Sequence, residues 1–490
     1  MSKKKSTKRP AANRRKTRRR AVPTNQNSWL ELWSWFLPSG IFDKIALHGN
    51  TKWLPTPFVV LAFCFTWSDA RCLTDAFVEA AECGRSLFGA PAIRTYQGFM
   101  RALVTWSPTL VRTLTAAVRQ RMEEIGGRFW RSGEWVPIAF DGSRSTAPRT
   151  KSNEAAYCAP NVGQGTTAKY RKKKSKGMRR KKNEKKKAQP QEPQAWITLM
   201  WQMGLRLPWA WRLGPSNASE RDHVMEMLDV EDFPNRTLFC GDAGFIGYPL
   251  WARILERGHD LMIRAGANVH LQVETASGRV VKEGRDQLVL GWPQEAQQAG
   301  LPPLRLRLIH ARINQTKVWL LTSVLDRKRL TLKQAVRLYE MRWGIELEFR
   351  GLKQTLNRAE LRCRNEKRVR VELDWSILGM AVAELWALKE QLAEKAGRPK
   401  KDRPGKRSLA GTMRALRWGL RYLDRETEAG RSLADRLRKA VIDDYLRKSS
   451  KQARYRPTNP DKKPLGDPNL RVLTREEKNK LRKMGADLAP

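Results

Sequence analysis

Residues 338–356 read LYEMRWGIELEFRGLKQTL, and this stretch decides how the rest of the chain is read. An α-helix turns about 100° per residue, so with Tyr339 at zero, Arg342, Glu346 and Lys353 fall at about −60°, −20° and −40°. One narrow stripe thus carries a carboxylate among three groups that reach phosphates. Leu338, Met341, Ile345, Phe349, Leu352 and Leu356 form an adjacent apolar stripe that seats the helix on a core. Glu340 and Glu348 point elsewhere, which leaves Glu346 as the acid this helix presents. The plainer reading is a surface helix whose charges only solvate it.

The whole chain is strongly basic. It has 95 Lys and Arg against 49 Asp and Glu, a net charge of +46 over 490 residues. Self-repulsion of that size calls for a polyanionic partner, and nucleic acid is the first candidate because neutralised phosphates release counterions. A hydrophobic fraction of 41% and 19 tryptophans leave ample material for two or three cores. The longest apolar run, PFVVLAFCFTW at 57–67, is too short to span a bilayer, so no membrane role is expected. Six scattered cysteines without a CxxC pair argue against zinc fingers and disulfides, and fit reduced thiols in a cytosolic protein. The basic N-terminus has no following apolar h-region and does not read as a signal peptide.

Composition divides the chain into four parts. Residues 1–27 read as a disordered basic tail. Residues 28–130 show helical spacing, and Arg94, Arg101, Arg112, Arg119 and Arg121 make them basic. This region reads equally as a DNA-end-binding domain or a plain helical scaffold. From 131 to 385 strands dominate, then strands and helices alternate: EWVPIAFDG, QAWITLMWQMGL and PWAWRLG as strands, SERDHVMEMLDV as a helix capped by Ser219, RTLFCGDAGF as a strand, YPLWARILERG as a helix and HDLMIRAGA as a strand. A β-rich block follows at about 268–318, before the helix of Glu346. A long basic loop at 165–194 interrupts the region, with 13 Lys or Arg between Lys169 and Lys187. We expect it to add non-specific DNA affinity; a nuclear-type address is the other reading of such a run. Residues 386–490 read as a helical, basic C-terminal region whose end, beyond about 455, trails along the surface.

Three acids stand at special positions: Asp141 after a strand and before Gly142, Asp242 in GDAGF, and Glu346 on the helix. Alone, an Asp after a strand is commonly a turn or cap residue. Together, three converging oxygen donors suit two Mg²⁺ ions, with Mn²⁺ as a substitute, and two such ions clamp the attacking and leaving oxygens of a phosphodiester. Phosphoryl transfer depends on positioning and charge, so the lack of a nucleophilic triad is no obstacle.

With these residues in hand the chain resembles a DDE transposase of the insertion-sequence-four group. The Tyr339–Arg342–Glu346–Lys353 series matches that group's signature without a gap, and the FDG at Asp141 and the GDAGF at Asp242 match its other two acidic motifs. The likeness covers about 131–365. It implies an α/β fold with a ribonuclease H-like core interrupted by a β-rich insertion and flanked by helical N- and C-terminal regions. It also implies metal-dependent cleavage of double-stranded DNA at transposon terminal inverted repeats, strand transfer into target DNA, and a homodimer in the synaptic complex, in a cytoplasmic, nucleoid-associated setting. Asp141, Asp242 and Glu346 become the expected catalytic and metal-binding acids. The resemblance further implies that Tyr339, Arg342 and Lys353 grip phosphates, that Arg264 contacts the DNA end, and that Trp319 stacks on a flipped base, although a core tryptophan is the other reading of Trp319. The basic run at 169–187 is unusually long for the group. A nuclease that cuts without joining, or a non-catalytic nucleic-acid-binding relative, are the rival functions.

Overall fold

A computed structural model describes residues 24–47, 51–89, 93–158, 192–273, 284–313, 316–393, 403–426, 431–442 and 466–484. Most of the basic N-terminal tail and the lysine-rich run at 169–187 lie outside the described residues. The fold is mixed α/β around a ten-stranded sheet in the order β10-β6-β7-β8-β9-β5-β4-β1-β2-β3.

The middle of the sheet carries the most apolar strands. β1 (Val136–Thr146) and β4 (Thr237–Gly241) each begin with five consecutive buried residues, the pattern of strands covered on both faces. β1 pairs antiparallel with β2 (Gln194–Gln202), which pairs antiparallel with β3 (Leu207–Gly214). On its other side β1 runs parallel to β4, and β4 parallel to β5 (Asp260–Ala265). Parallel neighbours need crossovers, and the helices Glu220–Val230 and Tyr248–Glu256 lie on the connections into β4 and β5. Ser219 caps the first of these, its side chain accepting from the Asp222 N–H, as its sequence predicts.

Three expectations change. Asp141 does not end its strand: β1 leaves β4 after Ala139 but continues along β2 to Thr146. The β-rich block is fused to the main sheet. β6 (His270–Val273), β7 (Asp286–Gly291), β8 (Leu304–Ile313) and β9 (Thr316–Thr322) form an antiparallel meander, and β9 pairs with β5. The C-terminal segment does not simply trail either. β10 (Asn469–Val472) adds in parallel to the edge of β6, and the helix Arg475–Lys483 follows it with Leu473 and Leu481 buried. Backbone pairing plus two buried leucines outweighs the polar composition of this stretch.

The flanking helices share one core. The 27-residue helix Glu366–Leu392 is apolar on nearly every face, so it is buried on all sides. The helices Asn25–Phe36, Pro55–Trp67 and Tyr96–Gly126 pack on it together with Leu409–Arg421 and Leu433–Arg438, and Leu73–Phe88 packs on Pro55–Trp67. Trp386 meets Trp33 edge-on at 4.7 Å and Trp29 at 5.7 Å, and Trp67 Nε1 donates to the Gly379 carbonyl at 3.0 Å. The run at 57–67 is therefore a core helix. Among the described residues no helix is long and apolar enough to cross a membrane. All six cysteines are unbridged.

Candidate active site

The register of the two central strands brings the first two acids together. Val136 faces Thr237 and Ala139 faces Cys240, so Asp141 and Asp242 each follow the last paired residues by two positions, at the same end of the two strands. Each is held locally. The Gly142 N–H donates to Asp141 Oδ1 at 2.8 Å, and the Gly244 N–H donates to Asp242 Oδ1 at 2.8 Å, where Asp242 caps a short turn.

Glu346 arrives on a helix that is not straight. The segment splits into Leu332–Arg342, Gly344–Arg350 and a π-helical turn at Gly351–Thr355. At Trp343 the bonding tightens: Trp343 N–H donates to Glu340 and Glu346 N–H to Trp343, both at 3.3 Å. Two glycines permit the seating. A Cβ on Gly344 would collide with the Trp201 indole, and one on Gly351 with Leu409. The uniform 100° stripe is thus re-phased, and its members differ in exposure. Tyr339 and Arg342 are buried, at 3% and 4% exposed, whereas the Glu346 side chain is 42% exposed. Lys353 is half-buried within the π turn, and burial lowers its pKa.

Arg342 is buried because it bridges the acids. Its guanidinium lies 3.7 Å from Asp141 Oδ2 and 3.7 Å from Glu346 Oε1, above the Tyr339 ring. Its Nε and Nη1 have no hydrogen-bond partner among the described residues. Burial, reinforced by Asp242 and Glu346, raises the Asp141 carboxyl to about 6, against the opposing pull of the Gly142 N–H and Arg342. Burial also raises Glu346; Arg342 opposes this and Asp242 adds to it.

A fourth acid, Glu220, belongs to the same place. It opens the helix after β3, and its carboxylate lies against the Cα of Gly142, where any Cβ would collide with it. Burial raises it to about 7, with further increases from Asp141 and Asp242 and opposition from Arg144. Nothing in SERD signals this neighbourhood; the glycine after Asp141 is the only sequence trace of it.

The residues assigned to DNA contact lie in two places. Arg264 is half-buried on β5, opposite Leu320. Trp319 is 3% exposed, stacked on His310 with centroids 3.9 Å apart, and its Nε1 donates to Asp467 Oδ1 at 2.8 Å. A base reaches that ring only after His310 is displaced.

Among the described residues no three Asp, Glu, His or Cys side chains are gathered closely enough to ligate one ion in this conformation. The donors nevertheless fit a hard divalent cation in type and charge. All are carboxylates, and a buried guanidinium already stands in for positive charge between Asp141 and Glu346.

The family model described as "Transposase DDE domain" matches residues 136–380, half of the chain and all three predicted acids. The chain belongs to this family of transposases. Members are DNA-cleaving and strand-transferring enzymes that generally use divalent metal ions. Among solved structures, the piggyBac transposase synaptic complex with hairpin DNA is similar at a TM-score of 0.40 and 12% identity, over 87% of each chain. No curated protein matches the chain.

Proposed function

We propose that this transposase belongs to the insertion-sequence-four group and that Asp141, Asp242 and Glu346 are its catalytic, metal-holding acids. The observation that carries this reading is the convergence of Asp141 and Asp242 at one end of the parallel β1–β4 pair, with Glu346 tied to Asp141 through Arg342. The order β3-β2-β1-β4-β5 supports a ribonuclease H-like core within about 131–385. Two bound Mg²⁺ ions, or Mn²⁺ in their place, would stabilise the attacking and leaving oxygens of a phosphodiester.

The protein's own side chains do the positioning. Asp141 sits on β1 and Asp242 on the turn that follows β4, each carboxylate held by the N–H of a nearby glycine. Arg342 ties Glu346 to Asp141 while no DNA is bound, and its free donors suit a phosphate oxygen. Tyr339 supports Arg342 from below, and Lys353 and Arg264 supply further phosphate contacts. Trp319 stacks on an extruded base once His310 moves aside. The substrate is double-stranded DNA carrying the element's terminal inverted repeats, then target DNA, handled by a homodimer that pairs two ends. Basic segments at the N-terminus and at 169–187 strengthen binding without reading sequence. A cytoplasmic, nucleoid-associated setting follows from that substrate.

The test is product analysis on paired transposon-end duplexes with Mg²⁺. Wild type is expected to cut at the ends and join them to target, and Asp242→Asn to do neither. Cutting without joining would indicate a nuclease, and no metal-dependent cutting a binding protein.

A further inference from the structure

We propose that Glu220 is a fourth carboxylate of the cation site, acting beside Asp141 and Asp242. This assignment rests on the reading of those acids as metal ligands and extends it to a residue outside the acidic motifs.

Three observations carry it. First, Glu220 reaches the site from an independent element, the helix after β3, and its carboxylate occupies the space a side chain at residue 142 would fill. A glycine directly after Asp141 is what admits it. Second, Glu220 has no hydrogen bond or ion pair among the described residues, although it is half-buried. Ser219 and Asp222 supply the local cap of this helix, so capping does not account for the carboxylate's position. Third, the 96%-buried Arg342 points into the same acidic cluster, 3.7 Å from Asp141 and from Glu346, with no hydrogen-bond partner on its Nε and Nη1 among the described residues. A carboxylate without a hydrogen-bond partner, next to a buried guanidinium that its acids approach only to 3.7 Å, suits a cation and a phosphate oxygen together.

Glu220 would accept a cation directly or through its bound water. Either role predicts an affinity effect. Carboxylates of the shell around a metal are generally worth about 10–100-fold in affinity.

The test is Mn²⁺ binding to the full-length protein, read from the loss of the free-Mn²⁺ electron paramagnetic resonance signal, with no DNA and no turnover. Four variants are compared with wild type: Glu220→Gln, Glu220→Asp, Asp141→Asn and, as control, Glu226→Gln, whose carboxylate on the same helix pairs with Arg212 at 2.8 Å. Glu220→Gln is expected to weaken binding about tenfold. Glu220→Asp should recover part of that loss and Glu226→Gln should bind as wild type. Thermal melts verify folding, and Glu220→Gln should melt no lower than wild type because it removes charge from a crowded cluster. Weak binding by Asp141→Asn with unchanged binding by Glu220→Gln would overturn the role of Glu220 and leave the other acids in place. Wild-type binding by both variants, or none by wild type, would overturn the metal-ligand reading as well.

Discussion

Asp141 and Asp242 each lie two residues beyond the last pair of the parallel β1–β4 ladder, Ala139–Cys240, at the same end of the two strands. The paired residues before them bring both carboxyls to one end of the strands, and the charge of Asp242 adds to the rise in the Asp141 pKa. Their mutual repulsion is built into the sheet, and several consequences are measurable.

The first concerns pH. Asp141 has a folded pKa of about 6, above its ordinary 3.8, chiefly through burial. Its contribution to stability is therefore fully present at acid pH and is lost as pH rises through about 6. In EDTA, Asp141→Asn should leave stability at pH 4 unchanged and raise it at pH 8. After allowance for partial exposure the gain is of order 1–2 kcal/mol. Denaturant melts at the two pH values check this, and a less stable variant at pH 8 would contradict it.

Gly142 is under a steric constraint from Glu220. Gly142→Ala should destabilise the protein by about 1–3 kcal/mol, the usual range for overpacking. Adding Glu220→Ala should relieve most of that loss. A double-mutant cycle with no coupling would show that the two residues do not touch.

Glu348 lies two positions beyond Glu346 but faces the opposite way, buried against Glu384, with Arg407 paired to Glu384 at 3.3 Å. Burial and Glu384 raise its pKa well above the ordinary range, which favours its protonated form. Glu348→Gln mimics that form and should fold with nearly unchanged stability. Glu348→Ala should lose about 2–3 kcal/mol by stranding Glu384 and opening a cavity. Urea titrations separate the two, and equal losses would contradict a protonated Glu348.

Trp386 joins the helix Glu366–Leu392 to the N-terminal helices Asn25–Phe36 and Pro55–Trp67 through Trp29, Trp33 and Trp67. Trp386→Ala should cost about 3–5 kcal/mol. If the N-terminal helices were an independent unit, only one of two unfolding steps would move; a shared core predicts one transition, shifted as a whole.

Much of this arrangement is legible in the sequence where local signals agree with the fold. The strand that carries Asp141 and the one that leads into Asp242 hold dense apolar runs, and the helix starting at Glu220 carries its cap in Ser219. The break at Trp343 is not legible, because it arises from the close approach of Gly344 to Trp201, a contact between residues 143 positions apart. A straight helix consequently predicts Tyr339 and Arg342 on an outward stripe, whereas Arg342 turns inward to bridge two acids. Glu220 is hidden for the same reason, since its neighbour Gly142 is 78 positions away. The docking of β10 depends on an open edge at β6, which polar and proline-rich sequence does not announce.

The most direct measurement is single-turnover cleavage of a transposon-end duplex in Mg²⁺ by Glu346→Gln and by Glu340→Gln, the exposed acid six positions earlier on the same helical segment. Glu346→Gln should cut about a hundredfold more slowly or worse, the scale of losing a charged group that acts on the transition state, while Glu340→Gln stays close to wild type. Equal rates for the two variants would contradict a catalytic site built on Asp141, Asp242 and Glu346.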